Sequence, residues 1–134
     1  MNSSIFHHQI VKGSLPWIIG LWTVIILYLT LAPSETLPKS SVFDYDKLGH
    51  MVVFGGWTFL VGLFTITSAN KINYSMLRIA LAGFLFGASI EIAQYITPFN
   101  RSASFADAIA NGIGCIIAYY ILITIQRDIL KNQS

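Results

Sequence analysis

The sequence predicts an all-α membrane protein, a four-transmembrane-helix bundle. Hydrophobic residues make up 54% of the 134 residues and charged residues only 10%, whereas soluble domains carry roughly 25% charged residues. Nearly all the charges lie in short stretches between long apolar runs. A hydrocarbon core about 30 Å thick requires roughly 20 apolar residues in a helix, which is the length of these runs. Residues 1–134 are therefore expected to form a single transmembrane domain.

Four apolar stretches predict the individual helices. The predicted helices cover residues 15–32, 49–67, 77–97 and 106–125. Pro33 and Pro98 follow the first and third stretches, and a proline disfavours helix at the residue before it. The first stretch is interpreted as a retained helix and not as a signal peptide, because its apolar core exceeds the roughly 7–15 residues of a signal peptide and no Ala-x-Ala pattern follows it.

The distribution of Lys and Arg predicts the orientation in the membrane. Basic loops stay in the cytoplasm, and the eight Lys and Arg residues divide unequally between the two sides. The larger group comprises Lys12, Lys71, Arg78, Arg127 and Lys131. The smaller group comprises Lys39, Lys47 and Arg101. This bias predicts a multi-pass membrane protein with both termini in the cytoplasm.

Polar side chains are expected at the outer ends of the second, third and fourth helices. They are Asp46, Lys47, His50, Glu91, Gln94, Arg101, Asp107 and Asn111. Spacings of three and four residues place the members of each helix on a shared face. We expect these side chains to form a ligand-binding pocket at the extracytoplasmic leaflet.

Glu91 is the most informative member of this group. At a rise of about 1.5 Å per residue it lies roughly 18–21 Å along the third helix, which is inside the bilayer. Ionisable groups at that depth usually face the interior of a bundle and pair with another group. His50, Lys47 and Arg101 are the basic candidates for this pairing, and the sequence does not choose among them.

Structural roles are also open for several of these residues. Asp107 follows Ser104 by three residues, the spacing of a helix capping box. Lys47 suits an interfacial position with its ammonium group reaching the head groups, and Asn111 suits a hydrogen bond between helices. Small residues at every fourth position of the last helix predict close helix packing. They are Ala106, Ala110, Gly114 and Ala118.

The order of these polar residues resembles a known family. The patterns Asp46-Lys47-x-x-His50, Glu91-x-x-Gln94 and Arg101 followed by Asp107-x-x-x-Asn111 are similar to those of the VanZ-like family of small bacterial membrane proteins. The resemblance covers about residues 44–125. It implies a location in the bacterial cytoplasmic (inner) membrane. The founding member of the family is associated with resistance to the glycopeptide antibiotic teicoplanin.

Three hypotheses about function follow. The first is a pocket that binds a lipid head group, a lipid-linked cell-envelope precursor or an amphiphilic antibiotic. A pocket with charges of both signs suits a zwitterionic or phosphorylated ligand. The second is an enzyme in which Glu91 or Asp107 acts with His50 in acid–base catalysis or in binding a divalent metal. The third is an assembly module whose polar groups only hold the helices together.

Other partners are not predicted. No cofactor or metal is expected, because Lys47 and Arg101 would crowd a cation. The lone Cys115 can form neither an internal disulfide nor a thiolate pair. The formal net charge is +2, and the basic residues form no stripe that could follow a nucleic-acid backbone. Membrane lipids are the expected surroundings, and no particular oligomeric state is predicted.

Overall fold

The computed structural model consists of four helices, and all four are long and apolar enough to cross a membrane. It describes the backbone of residues 3–32, 46–68, 74–96 and 104–131, and the side chains of these ranges from residue 13 onward except that of Asp46. The helices are α1 (Ser3–Leu31), α2 (Asp46–Thr67), α3 (Met76–Ile96) and α4 (Phe105–Lys131). These described ranges contain no strand. The predicted fold class is confirmed.

The first and last helices, α1 and α4, are longer than the apolar stretches that predicted them. α1 begins at Ser3, while its candidate membrane span within the described residues is Gly13–Leu31, and α4 continues to Lys131. Hydropathy detects only the part of a helix that requires a lipid environment. Backbone hydrogen bonding can continue into polar sequence beyond that part, so the helix ends were predicted less well than the spans.

The helices alternate in direction through the bundle. His50 on α2 contacts Asn111 on α4, and further along α2 the packing reaches Leu122 near the opposite end of α4, so these two helices are parallel. Gln94 near the end of α3 contacts Thr30 near the end of α1. The ends of α1 and α3 and the beginnings of α2 and α4 therefore share one end of the bundle, which we call the polar end.

The α2–α4 pair forms the most extensive helix contact, and glycines make it possible. A Cβ placed on Gly114 would collide with the carbonyl oxygen of Met51. A Cβ placed on Gly55 would lie 2.8 Å from the carbonyl oxygen of Gly114. Small residues of this kind let two backbones approach closely in a membrane, where lipid tails compete with side chains for apolar contact. The close packing expected of the fourth helix occurs within one chain.

Two apolar clusters fill the interior. The one nearer the polar end consists of Ile26, Phe54, Ile90 and Cys115. The other consists of Ile66, Met76, Ile79 and Leu122. The ring of His50 stacks on that of Phe54 with the centroids 6.1 Å apart. At the polar end, His50 thus packs directly against the apolar cluster that contains Phe54.

Candidate functional site

Three helices bring polar side chains together at the polar end. His50 lies in the first turns of α2, Glu91 lies in the last turns of α3, and Asp107 and Asn111 lie in the first turns of α4. His50 Nδ1 is 3.4 Å from Glu91 Oε1 and 3.1 Å from Asn111 Oδ1. One ligand atom each from His50, Glu91 and Asp107 lies within 4.8 Å of the others. We call His50, Glu91, Asp107 and Asn111 the polar cluster.

The polar cluster is buried. Glu91 and Asp107 keep only 7% and 6% of their surface exposed, and Asn111 keeps none. Placing an acidic side chain in the centre of a membrane helix costs about 2.5–3.5 kcal/mol on insertion scales. Such a position is retained where the side chain has a partner or a function.

Three atoms of the polar cluster lack a hydrogen-bond partner within the part of the chain that the structure describes. They are Glu91 Oε1, Asp107 Oδ1 and Asn111 Nδ2. Glu91 Oε1 is within ion-pair distance of His50, but the contact does not have hydrogen-bond geometry. Most buried polar atoms in proteins are hydrogen-bonded, so these three atoms are the candidates for contact with a further group.

Ser104 links the beginning of α4 to Glu91. Its hydroxyl accepts a hydrogen bond from the N–H of Ala106 over 3.2 Å, as expected of a helix N-cap. In a capping box the Ser104 N–H would bond to the side chain of Asp107. It donates instead to Glu91 Oε2 over 3.3 Å. Asp107 therefore keeps a carboxylate oxygen available inside the polar cluster.

A glycine on α3 makes room for Asn111. A Cβ placed on Gly87 would lie 2.9 Å from Asn111 Nδ2 and 3.1 Å from its Cβ. Any larger residue at this position would displace the amide and, through it, the ring of His50. Gly87 therefore contributes space to the site, whereas Gly83 faces Thr58 and Cys115.

Gln94 has a different role from the polar cluster. It is buried, and its Nε2 donates a 2.7 Å hydrogen bond to the carbonyl oxygen of Thr30. This bond ties the end of α1 to α3. Polar side chains that bond across helices in this way stabilise helix packing in membranes.

The remaining predicted members are not brought into the polar cluster by the described side chains. Lys47 is exposed at the start of α2 and makes no ion pair with a described carboxylate. The side chain of Asp46 and the whole of Arg101 lie outside the described residues. Of the two basic candidates that the structure describes, His50 and Lys47, it is His50 that lies beside Glu91.

Sequence reasoning did not anticipate the part played by Ser104 in the site. The capping pattern indicated its hydroxyl, but its N–H contacts a residue 13 positions earlier in the chain. The Thr30 carbonyl was also missed, because a backbone acceptor leaves no pattern in the sequence. Both contacts depend on which helix ends lie side by side.

A groove between α3 and α4 reaches the polar cluster from the side. Its volume is about 360 Å³. Two polar residues, Glu91 and Ser104, line it. The other lining residues are apolar or aromatic, namely Ala88, Ile92, Tyr95, Phe105 and Ala108. The groove thus joins a buried carboxylate to walls that suit a hydrocarbon chain.

Comparison with protein-family models matches residues 11–126 to VanZ/LLP1. The chain belongs to the VanZ/LLP1 family. The VanZ/LLP1 match includes most of α1 and so extends beyond residues 44–125, where the sequence patterns carried the resemblance. All four residues of the polar cluster lie within it. Comparisons with curated proteins and with solved structures gave no match.

Proposed function

We propose that this VanZ/LLP1 protein binds the head group of an amphiphile in the polar cluster, with the apolar part of the ligand in the α3–α4 groove. The ligand is a membrane lipid, a lipid-linked cell-envelope precursor or an amphiphilic antibiotic of the glycopeptide kind. The observation that carries this proposal is the groove itself, because it connects Glu91 and Ser104 to apolar walls. Ligand pockets characteristically combine mostly apolar walls with a few convergent polar groups.

The three atoms of the polar cluster that lack a hydrogen-bond partner indicate which head groups suit it. Glu91 Oε1 and Asp107 Oδ1 are acceptors, and Asn111 Nδ2 is a donor. A head group with hydroxyl or ammonium donors beside a carbonyl or phosphate oxygen would pair with both kinds. Hydrogen bonds to charged groups are stronger where water is excluded. A zwitterionic or polyhydroxylated head group therefore fits better than a purely anionic one.

We further propose that the polar end faces the extracytoplasmic leaflet and that both termini are cytoplasmic. The excess of Lys and Arg on the opposite side supports this orientation. In that orientation the site would meet lipids and envelope precursors of the outer leaflet. A role in resistance to an antibiotic that acts outside the cell would follow directly.

The groove can be tested separately from the polar cluster. Ala108 lines the groove, and Ala82 on α3 is exposed and does not line it. We expect Ala108→Leu to reduce the amount of co-purified amphiphile, measured by native mass spectrometry, at least about tenfold, the equivalent of about 1.4 kcal/mol. Ala82→Leu is the matched control and should retain it. Equal occupancy in both variants and the wild type would contradict the proposal.

An enzyme is the second candidate function, and the 3.4 Å approach of His50 Nδ1 to Glu91 Oε1 favours it. A carboxyl group beside an imidazole is a common acid–base pair. Turnover distinguishes the two functions. If the purified protein retains the co-purified amphiphile unchanged after prolonged incubation, with and without divalent metal, binding is the function.

A further inference from the structure

Three metal-binding side chains converge in the polar cluster. His50, Glu91 and Asp107 each offer a ligand atom, and these atoms lie within 4.8 Å of one another. His50 Nδ1 and Glu91 Oε1 are 3.4 Å apart. Neighbouring ligands of a tetrahedral ion with bonds of about 2.1 Å are themselves about 3.4 Å apart. Small side-chain rotations are therefore enough to close the set around one ion.

The unpaired oxygens provide an independent reason to expect a cation here. Glu91 Oε1 and Asp107 Oδ1 are buried and have no hydrogen-bond partner among the described residues. Two carboxylates so close together repel each other in a medium of low dielectric constant. A bound cation would pair with both oxygens at once.

We propose that His50, Glu91 and Asp107 bind one divalent transition-metal ion within the membrane-spanning bundle. One imidazole nitrogen with two carboxylate oxygens is a donor set that suits Zn²⁺ or Mn²⁺. Asn111 Oδ1 lies 3.1 Å from His50 Nδ1. Since a ring nitrogen that binds the ion carries no proton to donate, this amide oxygen would face the ion and complete a four-atom donor set.

The surroundings of the three ligands are compatible with a cation. Lys47 and Arg101 were expected to crowd a cation. Lys47 is exposed and pairs with no described carboxylate, and Arg101 lies outside the described residues. The Ser104 N–H binds Glu91 Oε2 and leaves Oε1 directed at the other ligands. The proposal stands on these side chains and does not depend on amphiphile binding. An ion here would also supply positive charge for a phosphate-bearing head group.

The test uses the full-length untagged chain in detergent, in a His7→Ala/His8→Ala background. The sequence has three histidines, so His50 is then the only one left. After EDTA treatment and gel filtration, the protein is titrated with Mn²⁺ in one series and with Zn²⁺ in another, and no other ligand is added. We expect one bound equivalent by elemental analysis. The electron paramagnetic resonance spectrum of the bound Mn²⁺ should show coupling to a nitrogen nucleus, which in this background comes from an imidazole only at His50.

Matched variants locate the ion. Asp107→Asn removes a ligand charge with little change of shape, while Asp128→Asn removes an exposed acid near the other end of α4. We expect Asp107→Asn to weaken Mn²⁺ binding by more than the roughly 10- to 100-fold loss typical of outer-shell changes, and Asp128→Asn to leave it unchanged.

Several outcomes would overturn the proposal. They are less than stoichiometric Mn²⁺ and Zn²⁺ in the His50-only protein, bound Mn²⁺ without nitrogen coupling, and equal affinities in the two aspartate variants. The first two outcomes are measured with the polar cluster unchanged. They therefore remain decisive even if an aspartate variant fails to fold. Because only the metal is added, failure here would leave the amphiphile proposal standing.

Discussion

The backbone N–H of Ser104 donates a hydrogen bond to Glu91 Oε2 over 3.3 Å. This bond connects the N-cap of α4 to the last turns of α3 and positions the carboxylate whose other oxygen faces His50. The first turn of α4 and the Glu91 carboxylate are therefore coupled through this bond. A substitution that moves one of them should also change the position of the other.

Glu91→Gln should separate function from folding. A glutamine keeps the size of the side chain and an oxygen that can accept from Ser104, but it removes the charge opposite His50. We expect wild-type amounts of inserted protein in membrane immunoblots together with loss of co-purified amphiphile and of any glycopeptide-resistance phenotype. Asp128→Asn is the control, because it also removes one negative charge but lies far from the polar cluster. A parallel fall in protein and phenotype would support the assembly hypothesis instead.

Ser104→Ala should destabilise the protein, because it removes the hydroxyl that caps α4 through Ala106. Loss of an N-cap typically costs about 1 kcal/mol. Unfolding in mixed detergent, followed by circular dichroism, would measure the change. Ser89→Ala is a suitable control, since that exposed hydroxyl donates to the carbonyl of Phe86 in its own helix. Equal stability of the two variants would show that the cap contributes nothing.

Gly114→Ala should weaken the contact between α2 and α4. The added methyl group would meet the Met51 carbonyl, which is backbone and cannot rotate away. We expect a loss of about 1–3 kcal/mol, the usual range for overpacking, seen as a lower midpoint of thermal unfolding. Gly20→Ala should be nearly neutral, because nothing lies within 4 Å of the new methyl group there. A Gly114→Ala protein as stable as the wild type would contradict the close packing.

The proposed orientation predicts which sites an impermeant thiol reagent can reach in intact cells. Single cysteines at Ser41 and Ser102, in a Cys115→Ser background, should be labelled from outside. A cysteine at Asn70 should be labelled only after the cells are opened, since it lies on the proposed cytoplasmic side. The reverse pattern would move the polar cluster to the cytoplasmic leaflet.

The polar site was only partly predictable from the sequence. The helical period correctly grouped Asp107 with Asn111, and the depth of Glu91 correctly indicated a buried partner. The identity of that partner was left open among His50, Lys47 and Arg101. Lys47 and His50 are close in sequence, yet one is exposed and the other is in the cluster, because a rotation of α2 by a few tens of degrees decides which of them faces inward.

The sequence by itself determined the four spans and the end of the bundle at which the polar residues gather. A hydrocarbon core requires long apolar helices, and this requirement leaves a local pattern that can be read without knowing any contact. The tertiary structure alone decided that Glu91 meets His50 and the Ser104 N–H. Those contacts depend on the rotation and separation of neighbouring helices. The close approach of Gly55 and Gly114 sets the separation of α2 and α4, and the sequence of a single helix does not contain this information.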